Sequence, residues 1–468
     1  MNDNTQINHT ATLCAALAGL TYECIPPRII ERAKDLVLDH LGVALHASPL
    51  PWSSMVRDHV LTLGDRAEST VYGYGAALPR NAALANATAA HGIELDDTHD
   101  ESMSHPGAVV IPVALALAES RKLGGRELLA AIVAGYEAQC RVGSAATEAL
   151  IAQGFHPTST AGAFGATATA AHLLHLNADQ LESAFGLVAS MASGTMQFTE
   201  DPDGTMVKRL HAGIPAQNGI LAAELAGKGY RGPRAAIDGR YGFVRVFART
   251  EHNIGRLTRE LAKTWEIDQV SIKLYACCRL FHSFIDAIRE CREKSSWQAT
   301  DVESVQVLGP KAMYEGRMQY RPRSVMSAQY SIPYAAAATL LLDPRDPRSF
   351  NEETMVRADV IAMIDRVSPQ HTPELDHYFP ARCPGGVRIR LKSGEVIEHT
   401  IIDSIGTPLR PLDRAGIKDK YRTLVADCLE HERLERIADA VLAIDETDDI
   451  AQVMSLLRNP LKTNSEAS

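Results

Sequence analysis

The chain has no Cys-x-x-Cys pair, and its eight cysteines are scattered over 468 residues. That pattern excludes a zinc ribbon and the disulfide framework of a small secreted domain, and it suits free thiols in a reducing compartment. Cys277 and Cys278 are adjacent, which favours neither a disulfide nor a zinc pair. The first ten residues are polar, with no cationic stretch leading into an apolar one, so no secretory signal is expected. No apolar run reaches the length that spans a bilayer. With a formal net charge of -10, nucleic acid and anionic membranes are poor partners, and a cytoplasmic protein is expected. A small anionic ligand would need a local basic pocket.

Standard motifs are missing as well. Gly73 and Gly75 begin a GxG, but Leu78 stands where the third glycine of a dinucleotide fingerprint belongs, and no GxxxxGK[ST] occurs. No GxSxG elbow marks a hydrolase serine. Solenoid-length repeats and low-complexity tracts are absent too, apart from a short polar end, Thr463 to Ser468.

Hydrophobic residues at 46% and charged residues at 22% place the chain among globular proteins, and its length suggests two domains. Apolar residues at helical spacing after Pro26-Pro27 predict a helix to about His46. Further helices are expected at 81–91, 108–120, 125–146, 159–175, 178–193 and 207–227, several of them rich in Ala, Gly, Ser and Thr. Beyond about residue 270 the pattern changes. Val302 to Leu308 alternates like a strand, and 387–391 with 396–402 reads as a hairpin about Ser393-Gly394. Helices are expected between them at 332–342 and 353–367, and again in the tail at 414–428, 432–443 and 450–457. The fold class is therefore mainly α with a second α+β domain: a large helical domain from 1–272 and 409–468, and a smaller α+β lid domain, 273–408, inserted between.

The densest polar constellation is Glu94, Asp96, Asp97, Thr98, His99, Asp100, Glu101 and His105. Histidines and carboxylates together suit acid and base chemistry near neutral pH. A metal site fits poorly, because His99 and His105 are six apart rather than in HExxH spacing and no EF-hand loop is complete. His105 and His156 each precede a proline and a predicted helix, so each is expected at a helix N-terminus, where free N–H groups attract anions. Lys208-Arg209 with His211, and Lys273 with Arg279 and His282, supply cations amid apolar neighbours. Such cations bind carboxylates and stabilise negative charge in an enolate-like transition state.

In order, His91-Gly-Ile-Glu-Leu-Asp-Asp-Thr98, His105-Pro106, Gly154-Phe-His-Pro-Thr-Ser-Thr160, Gly204-Thr-Met-Val-Lys-Arg209 and Ile272-Lys-Leu-Tyr-Ala-Cys-Cys278 resemble the MmgE/PrpD family from about residue 10 to 460. The resemblance implies a helical domain built from both chain ends, an α+β insertion, a homodimer, and cofactor-independent chemistry beside a carboxylate. The family's activities are 2-methylcitrate dehydration, cis-aconitate decarboxylation and iminodisuccinate epimerisation. Its motifs place catalytic roles on His105, His156, Asp96, Asp97, Thr98, Lys208 and Lys273, and substrate binding on Glu94, Cys278 and a tyrosine of the smaller domain, Tyr320 in preference to Tyr334. No metal and no organic cofactor is implied. His105 is expected to be the acid, His156 a second proton carrier, and the lysines a clamp on a small polycarboxylate. The motifs look most similar to the fungal-type cis-aconitate decarboxylase branch, with dehydration second, epimerisation third, and a non-catalytic helical binding protein as the reading from another class.

Overall fold

A computed structural model describes residues 8–201, 205–249, 253–294 and 296–462; Gly204 and the tail from Thr463 lie outside them. The molecule is mainly helical. Helix α1 (Pro27–Ala47) starts on a proline, whose missing N–H has no partner to lose at a first turn. It is followed by α2 (Pro79–Ala90), α3 (Pro106–Arg121), α4 (Gly125–Ser144), α5 (Gly162–Leu173), α6 (Ala178–Ala189) and α7 (Val207–Gly227). Helices α3 and α5 are buried along nearly their whole length, which is why their sequences show no polar face. Their small residues allow close contact: a Cβ at Gly219 of α7 would overlap Ala166 of α5.

After α7 come α8 (His282–Glu293), β1 (Val302–Gly309), α9 (Ile332–Leu341), β2 (Val367–His371), β3 (Gly385–Leu391) and β4 (Val396–Ile401). The four strands form one sheet in the order β2-β1-β3-β4. β3 and β4 are the antiparallel hairpin, turning at Gly394 with φ +90°. β2 is a correction to the expected helix at 353–367. The chain forms two short helices, Glu352–Met355 and Ala358–Ile364, broken at Arg357, whose backbone is extended, and then a strand parallel to β1. Pro369 lies in that strand, and an edge is where a residue lacking an N–H is tolerated.

The chain then returns as α10 (Arg414–Val425), α11 (His431–Leu442) and α12 (Ala451–Arg458). α10 packs on α1: Arg414 pairs with Asp35 at 2.7 Å, and Lys420 pairs with Asp39 at 2.6 Å while donating to the Leu95 carbonyl at 2.8 Å. Among the described residues, no helix is long and apolar enough to cross a membrane.

Candidate active site

The acidic loop is built by the helices on either side of it. α2 stops at Ala90, and the chain turns through Glu94, whose φ of +58° is left-handed. That conformation costs a non-glycine residue roughly 1–2 kcal/mol, and the Glu94 carboxylate is held by Lys208, by Arg209 at 2.7 Å and by Lys273 at 3.5 Å. Asp97 accepts from the Gly107 N–H at 2.8 Å and the Tyr136 hydroxyl at 2.6 Å, which docks the loop on the start of α3. Thr98–His99 then pairs antiparallel with Val270–Ser271, and this short ladder brings Lys273 beside the loop.

His105 is the N-cap residue of α3, with Pro106 at the first helical position. Its Nδ1 lies 2.8 Å from the Asp97 carbonyl, 3.2 Å from the Thr98 hydroxyl and 3.4 Å from Asp96. With Nδ1–H donated to the carbonyl, Nε2 is left as the ring's acceptor. His156 caps the short helix Pro157–Thr160, and its Nδ1 is 3.0 Å from Nδ1 of His211, so one of the two rings carries the shared hydrogen. His91 donates to Asp96 at 2.6 Å and sits between the other rings, with centroids 5.1 Å from His105 and 5.9 Å from His156.

These groups border a cavity of about 370 Å³. Glu94, Thr98, His105 and His156 form its helical wall, with Met196 and Phe198 near His156. Lys273, Cys278, Arg279, Arg317, Tyr330 and Cys383 form the opposite wall.

Burial dominates the titration of the imidazoles. It pushes His105 down to about 3 against the pull of Asp96, lowers His211 to about 4, and lowers His91 and His156 as well. All four are therefore neutral at pH 7 in the unliganded site. Burial would also raise Glu94 and Asp96, but Lys208, Lys273 and Arg209 around the one, and His105, His91 and Lys273 around the other, hold both well below the carboxylate range. For Asp97 burial outweighs the bonds from Tyr136 and Gly107 and raises it to about 7.

The expected residues thus divide. Glu94, Thr98, His105, His156, Lys273 and Cys278 line the cavity. Asp96, Asp97 and Lys208 stand behind it: Asp96 between His91 and His105, Asp97 on α3, and Lys208 against Glu94. Neither of the expected small-domain tyrosines is among the residues that line the cavity. Tyr320 is turned to the surface and donates to the Val367 carbonyl, while Tyr334 is buried against the Ser349 carbonyl. Tyr330 instead lines the cavity, its hydroxyl 3.5 Å from Glu94. Sequence reasoning also passed over His91, although it lies five residues before Asp96, and Gln329, which receives Arg209 at 2.8 Å and donates to the Ile93 carbonyl at 3.1 Å. Among the described residues, His99, Glu101 and Glu266 approach metal-ligand spacing, but Arg256 occupies both carboxylates with bonds of 2.7 Å.

Comparison with known proteins matches this chain in two segments. The MmgE/PrpD N-terminal domain covers residues 11–254, and the MmgE/PrpD C-terminal domain covers residues 275–446. A cis-aconitate decarboxylase of Aspergillus terreus is 28% identical over 99% of this chain and 98% of its own length. A cis-aconitate decarboxylase-like protein of Aspergillus oryzae is 29% identical over 97% of this chain and 98% of its own. The human cis-aconitate decarboxylase is 27% identical over 96% and 95%. Matched from the acidic loop to the returning helices, the chain belongs to the MmgE/PrpD family and, with it, to the lyases.

Proposed function

We propose that the chain decarboxylates cis-aconitate to itaconate without a metal or organic cofactor, acting as a cytoplasmic homodimer whose residues 273–408 form a lid over the cavity. The observation that carries this reading is the cluster of cations beside the histidines at a cavity of small-molecule size. Lys208, Arg209 and Lys273 gather around Glu94, with Lys273 also near Asp96, Arg279 faces Asp100 at 3.1 Å, and Arg317 adds a further cation, while Glu200, Asp201 and Glu315 border the same cavity. A substrate with several carboxylates that meets these cations offsets part of its own desolvation.

In this reaction the bond from the substrate's CH2 carbon to its carboxylate breaks, and its electron pair forms a new C=C. The former alkene pair moves onto the adjacent carbon and its carboxylate. Carbon dioxide leaves, and that carbon takes a proton. Lys273 supports the charge on the carboxylate as it develops. His105 supplies the proton. It is neutral in the empty cavity, and the bound carboxylates raise its proton affinity, so the imidazolium forms with the substrate in place. His156, hydrogen-bonded to His211, is the second proton carrier.

The same neutral His105 favours a second reading, 2-methylcitrate dehydration, in which its Nε2 removes a proton from carbon. Incubating the purified chain separately with cis-aconitate, 2-methylcitrate and iminodisuccinate, with products followed by NMR and mass measured by light scattering, separates the readings. Itaconate from cis-aconitate alone, from a dimer and undiminished by chelator, is expected. Turnover of 2-methylcitrate alone would overturn the first reading for the second.

A further inference from the structure

Among the cations that line the cavity, Arg317 differs from the rest. Lys273 lies near Glu94 and Asp96, and Arg279 pairs with Asp100, whereas Arg317 meets no carboxylate among the described residues. Its guanidinium is fixed all the same. One terminal nitrogen donates to the carbonyls of Ala312 and Glu315, each at 2.9 Å, and Nε has no partner. The backbone is tied down too: Arg317 N–H donates to the Tyr314 carbonyl at 3.1 Å, and the Ile332 N–H donates to the Arg317 carbonyl at 2.9 Å, anchoring the turn to the start of α9. The turn itself passes through Gly316 at φ +69°, a conformation that a side chain there would oppose.

A half-buried guanidinium with an unused N–H is costly unless an acceptor arrives, and a planar fork suits a carboxylate. On the same wall, Lys273 already serves the carboxylate next to the reacting carbon. We infer that Arg317 binds the third, central carboxylate of the substrate and so makes the cavity select tricarboxylates over dicarboxylates. The inference rests on the polycarboxylate reading above and adds to it the group that counts the carboxylates.

The test is binding rather than turnover, so it does not depend on which reaction the chain performs. Affinities of wild type, Arg317→Gln and Arg317→Lys are measured by calorimetry for tricarballylate, a saturated tricarboxylate, and for glutarate, which lacks the third carboxylate. Loss of a charge-assisted hydrogen bond should weaken tricarballylate by roughly 10- to 100-fold in Arg317→Gln, with glutarate affected less than about twofold and Arg317→Lys recovering part of the loss. Melting curves identify any variant that fails to fold, and Arg317→Lys, which keeps the charge, then carries the test alone through the same tricarballylate-to-glutarate ratio. Equal weakening of both ligands, or of neither, would overturn the assignment. If neither ligand binds wild type, the polycarboxylate reading falls and this inference falls with it.

Discussion

The two walls of the cavity are built on opposite plans. On the helical wall nearly every polar group is spoken for: Asp97 by Gly107 and Tyr136, Asp96 by His91 and His105, Glu94 by Lys208 and Arg209. On the opposite wall Lys273 and Arg279 are paired as well, but among the described residues Arg317 is held only by backbone carbonyls, and Tyr330 reaches Glu94 at 3.5 Å. A saturated wall holds imidazoles in fixed positions for chemistry, and a partly unsatisfied wall leaves charge for a ligand to complete. Chemistry and recognition are therefore expected to respond to mutation on different sides.

The largest effect should come from His105→Ala. General acid–base catalysis is worth about 10² to 10⁴ in rate, so kcat should fall by that factor with little change in KM. Near-normal kcat in a folded variant would move the acid elsewhere and erase the contrast between the walls. Next comes Glu94→Leu, which strands Lys208 and Arg209 in the interior. Removing one partner of a buried pair costs about 3–5 kcal/mol, so the melting temperature should drop markedly, and a melt like wild type would show that the helical wall is not held as described.

The pH dependence of stability is a finer probe of the same wall. His105 and His211, at about 3 and about 4, together with His91 and His156, are neutral when folded but ordinary histidines when unfolded. Between the folded and unfolded values the unfolded chain binds more protons, so stability falls as pH drops from about 6.5 toward 4. Asp97 and Glu137, raised to about 7 when folded, act in the opposite sense over that window. Counting His40, also at about 3, and His282, the histidines outnumber them, so the melting temperature should be lower at pH 5 than at pH 7. A melt that rises on acidification would contradict the neutral cluster. The smallest effect separates the tyrosines: Tyr330→Phe should lower kcat/KM several-fold, since a net hydrogen bond is worth about 0.5–1.5 kcal/mol, while Tyr320→Phe should leave it within about twofold, as for a surface change.

These contrasts also explain what the sequence disclosed. Helix α7 was legible to its first residue, because Val207 opens a run of apolar residues at helical spacing. The hairpin was legible from strict alternation and a glycine turn. β2 was not, since Val367-Ser-Pro-Gln-His371 carries a proline and little hydrophobicity, and its pairing with β1 is set by distant chain. On the saturated wall, acids and histidines crowd into a few residues of sequence, and that crowding is itself a signal. Tyr330 and Arg317 gave none: each is a single residue in a turn, placed by the packing of α9. For the same reason the bond from Lys208 to Glu94, a partner 114 positions away, was not legible in the sequence.

The hydrogen bond from Lys420 to the Leu95 carbonyl spans 325 positions and ties the first of the returning helices to the acidic loop. While the chain is being synthesised, α1 to α7 emerge and can begin to fold long before α10 exists. Through that interval Asp39 has no Lys420 and the loop lacks one of its anchors. The last piece of the loop's support is therefore added late in the life of the growing polypeptide, when the returning helices dock.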